Sequence, residues 1–276
     1  MEEFKTYKDF KKRVLEHLGE GYNQEPWGIF QGNGQPYSHI VNIPEGSTQE
    51  GVIRQILKND GVEYDHFASP HRYAHHLNSS QVVCYEFFRN LITDEKRVTE
   101  TLVKCLNAMG IPGDQFIDGH AEFEWVPYKE ENTNFDFFLE GTDQKKSIHF
   151  EIKYTEQGFG TCRNDEEHKI KFDTIYKEMI EKCACLLKKP TVFDEEWRKN
   201  YQLFRNVLRI TKDNWENEYV VFLFPKMNKA AKAHFERFKA EYIAPDYGEH
   251  IKEVFWEDLT EYMIDPFRQK FFFYAL

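Results

Sequence analysis

Apolar and polar positions alternate most clearly between residues 121 and 154, in three short successive runs. In residues 147 to 154, Ile148, Phe150, Ile152 and Tyr154 alternate with His149, Glu151 and Lys153, the period of two that marks a half-buried strand. Glu151 and Lys153 therefore share a face. In residues 134 to 140, Phe135, Phe137 and Leu139 form one row and leave Asp136 on the opposite face beside Asn134. The polar stretch from Gly141 to Lys146 suits a hairpin between these two strands. Residues 121 to 126 alternate as a strand before them. Pairing of the strands would bring Asp136, Glu151 and Lys153 to one end of the sheet. Two carboxylates and an ammonium there suit a hard divalent cation and an activated water.

Elsewhere the spacing turns helical. Phe4, Tyr7, Phe10, Val14, Leu15 and Leu18 predict an amphipathic helix over residues 2 to 18, ended by Gly19 and Gly21. Residues 22 to 44 are rich in Gly, Pro, Asn and Gln and predict an irregular loop with one strand at residues 39 to 42. A short helix over residues 52 to 57 follows, and nothing in this opening quarter ties to chemistry. Ser79 or Ser80 can cap a helix that buries Val82 or Val83, Phe87 and Leu91. A second helix spans residues 98 to 109, ended by Gly110 and Pro112. After the strands, the apolar positions from Phe172 to Leu187 predict a long helix stopped by Pro190. Residues 191 to 214 read as a mixed insertion with a further helix. Residues 219 to 224 form a continuous apolar run, as in a strand covered on both faces. A helix over residues 226 to 242 and an edge strand at residues 254 to 256 complete the pattern.

Composition narrows the class. The 276 residues are 41% hydrophobic and 16% aromatic, enough for a substantial globular core. The longest apolar runs, residues 219 to 224 and 271 to 276, are too short to span a bilayer. A charged N-terminus without a secretory pattern and an odd set of five cysteines make the cytoplasm the expected compartment. A zinc set from Cys162, His168, Cys183 and Cys185 would have poor ligand geometry. The net charge of −11 argues against broad nucleic-acid binding and confines it to a localised basic cleft. Two clusters are candidates for that cleft: Lys145, Lys146, Arg163, Lys169 and Lys171, and Lys226, Lys229, Lys232, Arg237 and Lys239.

Asp136, then fourteen residues, then Glu151-Ile152-Lys153 resembles the PD-(D/E)XK nuclease superfamily. The element order over residues 75 to 225 carries the resemblance beyond that motif. The run Leu77-Asn78-Ser79-Ser80-Gln81 is similar to one bacterial branch with such a run before its first helix. One departure is Phe135, where many members carry Pro before the Asp. The resemblance implies an α/β fold with a restriction-endonuclease-like core (helix, three strands, helix, strand). Residues 1–70 would then be an N-terminal extension on a nuclease-like domain of residues 71–276, or the whole a single domain. It further implies a Mg²⁺-dependent endonuclease acting on DNA, of restriction or defence type, with Mn²⁺ able to substitute. Asp136, Glu151 and the Ile152 carbonyl would hold the cation, and Lys153 would orient or deprotonate the attacking water. Gln81 and Glu86 lie on the preceding helix, with Glu86 the acid expected to reach the hydrated cation. Glu156 is a further polar candidate or a turn residue. Nucleic acid is the expected partner and a membrane is not; cutting a duplex would need a homodimer or two encounters. Three alternatives stay open: a catalytically inactive binding module on the same fold, RNA as substrate, and a metal hydrolase built on His71, His75 and His76.

Overall fold

The computed structural model describes residues 3–21, 27–63, 70–127, 134–183 and 186–275. At the start of α1 (Tyr7–Gly21), the Thr6 hydroxyl accepts the Asp9 N–H at 3.2 Å while the Asp9 carboxylate accepts the Thr6 N–H at 3.0 Å. This reciprocal cap starts the helix at Tyr7, later than apolar spacing alone predicts. Strands β1 (Ile29–Gly32) and β2 (Gln35–Val41) form an antiparallel hairpin. Its turn is Asn33-Gly34, both at positive φ (52° and 73°), the geometry that favours this dipeptide in tight hairpins. Only the end of β2 is visible in the apolar pattern, because Pro36 and exposed aromatics blur the alternation. At Gly19 a Cβ would lie 2.5 Å from Ser38 Oγ, so glycine lets α1 lie close against β2.

Helices α2 (Gln49–Asn59), α3 (Ser80–Arg89) and α4 (Glu100–Ala108) follow. Thr48 and Thr99 cap the first and last through their hydroxyls. The central sheet has the order β3-β4-β5-β6-β7. Strands β3 (His120–Trp125), β4 (Phe135–Glu140) and β5 (Ser147–Ile152) are antiparallel neighbours. β6 (Glu218–Phe224) and β7 (Ile251–Phe255) add in parallel. Between β5 and β6 run α5 (Glu166–Lys171), a π-helical segment (Phe172–Tyr176), α6 (Lys177–Lys182), α7 (Glu195–Lys199) and α8 (Tyr201–Val207). α9 (Lys229–Tyr242) crosses from β6 to β7, and α10 (Asp265–Phe271) follows the sheet. From α3 onward this is the α/β order expected of a restriction-endonuclease-like core.

The helix predicted from Phe172 to Leu187 instead begins at Glu166, where the Asp165 side chain accepts the His168 N–H at 3.0 Å. It ends at Lys182, and the buried Cys183 thiol points to the carbonyls of Leu208 and Ile210 at 3.3 and 2.9 Å. Tertiary bonds therefore stop this helix before Pro190 does.

The period of two sorts β6 onto two cores, Val221 and Leu223 on one side and Val220, Phe222 and Phe224 on the other. In β4 the expected row breaks beside Asp136, Phe137 and Leu139 joining the first core and Phe135 the second. Phe137, Phe150 and Ile152 face α3, where Phe88 stacks on Phe137 with centroids 4.0 Å apart; Phe10, Val14 and Val52 of the opening segment belong to this same buried cluster. On the other side Phe222 and Phe224 pack with Trp197, Phe204 and Phe235. No helix among the described residues is long and apolar enough to cross a membrane. Replacing Phe88 with Ala removes a ring that contacts both Phe137 and Phe150. The expected cost is about 3–5 kcal/mol, read as a lower urea midpoint; a change within ~0.5 kcal/mol would refute its central place.

Candidate active site

Register decides which polar groups meet. β4 and β5 pair as far as Phe137 with Phe150, and just beyond, the Asp136 carboxylate accepts the Ile152 N–H, which sets Asp136 beside Glu151. On the other side, the pairs Phe123–Phe137 and Trp125–Phe135 bracket Glu124 against Asp136. Three carboxylates from adjacent strands thus form a row across one face. Glu124 holds a left-handed backbone at φ 52°, a conformation that costs a non-glycine residue energy and gathers at functional sites.

Glu151 is 2% exposed and fully engaged. Its Oε1 accepts from Lys153 Nζ and from Gln202 Nε2, each at 2.6 Å. Its Oε2 accepts from Asn206 Nδ2 at 2.7 Å, with Arg205 Nη2 3.8 Å away. Lys153 lies just past β5, held by its backbone N–H to the Leu223 carbonyl at 2.9 Å. Asp136 accepts the Ile152 N–H through Oδ2 at 2.6 Å. Its backbone carbonyl receives the Cys84 thiol at 3.6 Å, pinning α3 to β4 beside the row. Gln81 accepts the His71 N–H at 2.8 Å, and its side chain also hydrogen-bonds Glu124.

The charges are unbalanced. Burial raises the Asp136 carboxyl well above the usual carboxylate range, and the Glu151 charge raises it further. Burial likewise holds Glu124 up to about 7, opposed by the bond from Gln81. For Lys153, burial pulls downward, yet the charges of Glu151, Glu156 and Asp136 outweigh it and push the ammonium up to about 12. In this arrangement Lys153 is a cation and not a base. His149 shares the face but is packed among Trp125, Phe135 and Phe138, and burial holds it down to about 3. It is a neutral core imidazole.

Asp136, Glu151, Ile152, Lys153 and Gln81 are therefore brought together. Glu86 is not. It lies five residues past Gln81, about 140° further round the helix, and bonds Lys270 Nζ at 2.7 Å. Lys270 also binds Asp60 at 2.5 Å, so Glu86 belongs to a buried trio linking α2, α3 and α10. Burial holds its carboxyl up to about 8 against the pull of Lys270. The expectation that Glu86 reaches the site overlooks α10, which apolar spacing does not reveal. Glu156 holds a turn, accepting the Tyr154 N–H at 2.7 Å while its carbonyl accepts Asn228 Nδ2 at 2.8 Å, and its charge also acts on Lys153.

Four members of the site escape the sequence reading: Glu124, Gln202, Arg205 and Asn206. Glu124 hides in the ordinary alternation of β3. The other three occupy one face of α8 at i, i+3 and i+4, opposite Leu203, Phe204 and Val207, and that spacing is their only sign.

The rival metal sets are not assembled. Among the described residues no group of three or more His, Cys, Asp and Glu side chains is placed to hold a metal ion, and that includes the row of Glu124, Asp136 and Glu151. His71, His75 and His76 make ring and backbone contacts, with His75 and His76 centroids 4.7 Å apart. Cys185 lies outside the described residues. Four of the ten residues in the two basic clusters are ion-paired: Arg163 with Asp165, Lys171 with Glu167, Lys232 with Glu236, and Arg237 with Glu196. Lys146 donates to Gln115, and Lys239 to two backbone carbonyls.

The family model described as REase-ARP, restriction endonuclease associating with ARP, matches residues 17–271. The chain belongs to this family. The REase-ARP match extends well beyond residues 75 to 225, taking in the carboxylate row, most of the opening segment and α10. No curated protein and no solved structure matches the chain.

The Glu86 trio has a measurable consequence. The buried carboxyl, moved from 4.5 to about 8, binds a proton in the folded state that the unfolded chain has already released. Stability therefore falls as pH rises from about 5 to about 8. Urea titrations across that window should show a flatter decline for Glu86→Gln, by on the order of a few kcal/mol; parallel declines would refute the assignment.

Proposed function

We propose that this member of the REase-ARP family is a metal-dependent endonuclease that hydrolyses phosphodiester bonds in DNA, centred on Asp136, Glu151 and Lys153. One observation supports the reading: the Asp136 carboxylate accepts the N–H of Ile152, next to Glu151, and Lys153 Nζ lies 2.6 Å from the Glu151 carboxylate. The family's name supplies the reaction class. Its description also has members associating with ARP, and that association is part of the proposal. Free thiols at Cys84, Cys105, Cys162 and Cys183 suit action in a reducing compartment such as the cytoplasm.

The donor set fits Mg²⁺ or Mn²⁺. The row offers oxygen donors only, from Asp136 and Glu151 with the Ile152 carbonyl beside them, and Mg²⁺ needs few protein carboxylates because it keeps several waters. Burial raises the carboxyls of Asp136 and Glu124, so a divalent cation binding there would displace protons and offset the carboxylate charge so released. When bound, the cation would supply Lewis acidity and lower the pKa of a water.

The side chains have separable tasks. Gln202 and Asn206 fix the Glu151 carboxylate in one orientation, and the Ile152 N–H does the same for Asp136. Lys153 brings a permanent positive charge to where charge develops on the phosphate oxygens. Its base role would require the carboxylates that hold its proton to be drawn elsewhere. A single centre cuts one strand at a time, so a duplex break needs two copies or two encounters.

The test is cleavage of plasmid, phage, modified and single-stranded DNA, and of RNA, with Mg²⁺ or Mn²⁺. Wild type should cut, chelation should stop it, and metal should restore it. Asp136→Asn, Glu151→Gln and Lys153→Met should each lower the rate by about 10²–10⁴-fold, while Glu86→Gln cuts at close to the wild-type rate. Cutting that survives all three substitutions would place the centre elsewhere, and a wild type that cuts nothing would favour the inactive binding module. Asn206→Leu provides a further check: it removes one hydrogen bond to Glu151 and should slow cutting about tenfold or more without altering the carboxylates themselves.

A further inference from the structure

A third lysine-rich face lies apart from the two basic clusters and is tied to the segment that carries Lys153. On α1, Lys8, Lys11 and Lys12 line a groove of about 370 Å³ with Tyr7, Leu15, Glu16 and Ser38. Lys12 lies 3.8 Å from Glu16, whereas Lys8 and Lys11 form no ion pair among the described residues. In a chain of net charge −11, this is a local reversal of sign.

The groove is fastened to the candidate site. Tyr7 donates its hydroxyl to the Thr155 carbonyl at 2.7 Å, and Asn78 bonds the Thr155 hydroxyl at 2.6 Å. Thr155 is two residues beyond Lys153.

Aromatic rings continue the surface. Phe30, Tyr37 and Tyr73 are 41%, 38% and 48% exposed, well above what large rings need for packing. They are linked through centroid separations of 6.2 Å for Phe30–Tyr37, 6.4 Å for Tyr37–His39, 6.3 Å for His39–His76 and 5.2 Å for Tyr73–His76. Arg72 lies over the Tyr73 ring at 5.4 Å. Lys11 stands near enough to His39 for its charge to act on the imidazole, which joins the lysines to the rings.

The support is rigid. The Leu77 N–H bonds the His39 carbonyl at 2.9 Å and the Val41 N–H bonds the His75 carbonyl at 3.2 Å, stitching the hairpin to the segment ahead of α3. That segment ends in the His71–Gln81–Glu124 chain of hydrogen bonds.

We infer that the opening segment is a docking surface for single-stranded DNA, with Lys8, Lys11 and Lys12 meeting phosphates and Tyr37 and Tyr73, flanked by Phe30, stacking on unpaired bases. The inference rests on the nuclease reading for its purpose and gives that reading a substrate form: a strand unpaired beside the cut. Exposed rings take bases of any sequence because each base has a π face, and lysines along the backbone supply the salt-dependent part. A duplex hides its base faces and gains only the lysine contribution.

Binding measured without metal keeps this test separate from catalysis. The full chain is titrated, in chelator, against a labelled DNA strand of about 20 nucleotides and against the same sequence as a blunt duplex, by fluorescence anisotropy. Wild type should prefer the single strand. Tyr37→Ala with Tyr73→Ala should weaken it by about tenfold or more, with Tyr37→Phe and Tyr73→Phe retaining affinity. Lys8→Ser, Lys11→Ser and Lys12→Ser together should reduce the slope of log affinity against log salt by about 2. All these side chains reach solvent, and matching urea midpoints would confirm that the variants fold. The inference is overturned if wild type binds no single strand, if it prefers the duplex, or if the alanine pair binds like wild type. Unchanged binding by the variants of a protein that cuts DNA would remove the docking surface alone. Weakened binding in a protein that cuts nothing would uphold the surface and remove the nuclease reading.

Discussion

The clamp on Glu151 is the interaction on which the rest of the site depends. A carboxylate at 2% exposure is costly unless both oxygens are satisfied, and here Lys153, Gln202 and Asn206 do so. Two of these three come from α8, in the insertion between β5 and β6. That insertion is therefore part of the site. Its own placement rests on Trp197 stacked over Phe204 at 4.6 Å, on Gln202 Oε1 accepting the Gly160 N–H at 2.7 Å, and on His234 meeting the Phe159 N–H and Asn200 at 3.2 and 3.1 Å. The loop after β5, α8 and α9 thus lock together around one buried negative charge.

The second buried charge system works differently. Lys270 serves both Asp60 and Glu86, one ammonium between two acids. It joins α2, α3 and α10, elements far apart in sequence, on the side of α3 turned away from the carboxylate row. Removing Lys270 would leave the buried Glu86 and the half-buried Asp60 facing each other without a cation between them. α3 thereby divides its work: Gln81 near its first turn serves the site, and Glu86 near its end anchors the fold.

How much of this was legible depended on the range of the interactions. Period-two alternation located β3, β4 and β5 and put Glu151 and Lys153 on one face, because strand geometry is local; the row expected of Phe135, Phe137 and Leu139 breaks at Asp136, whose position follows from its bond to the Ile152 N–H. The element order was legible for the same reason. Contacts between distant segments were not. Glu86 looked like a site residue only while Lys270, 184 positions further on, had no known place. Gln202 and Asn206 carried no signal beyond helical spacing, since their partner lies 51 and 55 positions earlier. The opening hairpin is an intermediate case. Its Asn33-Gly34 turn is a strong local cue, but solvent-exposed rings on its strands disguise the alternation that usually accompanies it.

Strand periodicity also ties the chemistry to the core. Ile148, Phe150 and Ile152 are buried on one face of β5 while His149, Glu151 and Lys153 occupy the other. A slip of β5 by one residue would turn all three apolar side chains toward the carboxylate row and all three polar ones into the aromatic layer against α3. The oily side of the strand therefore acts as an error check on the carboxylate side: a chain that mispositions Glu151 cannot close its interior, so misassembled copies are unstable.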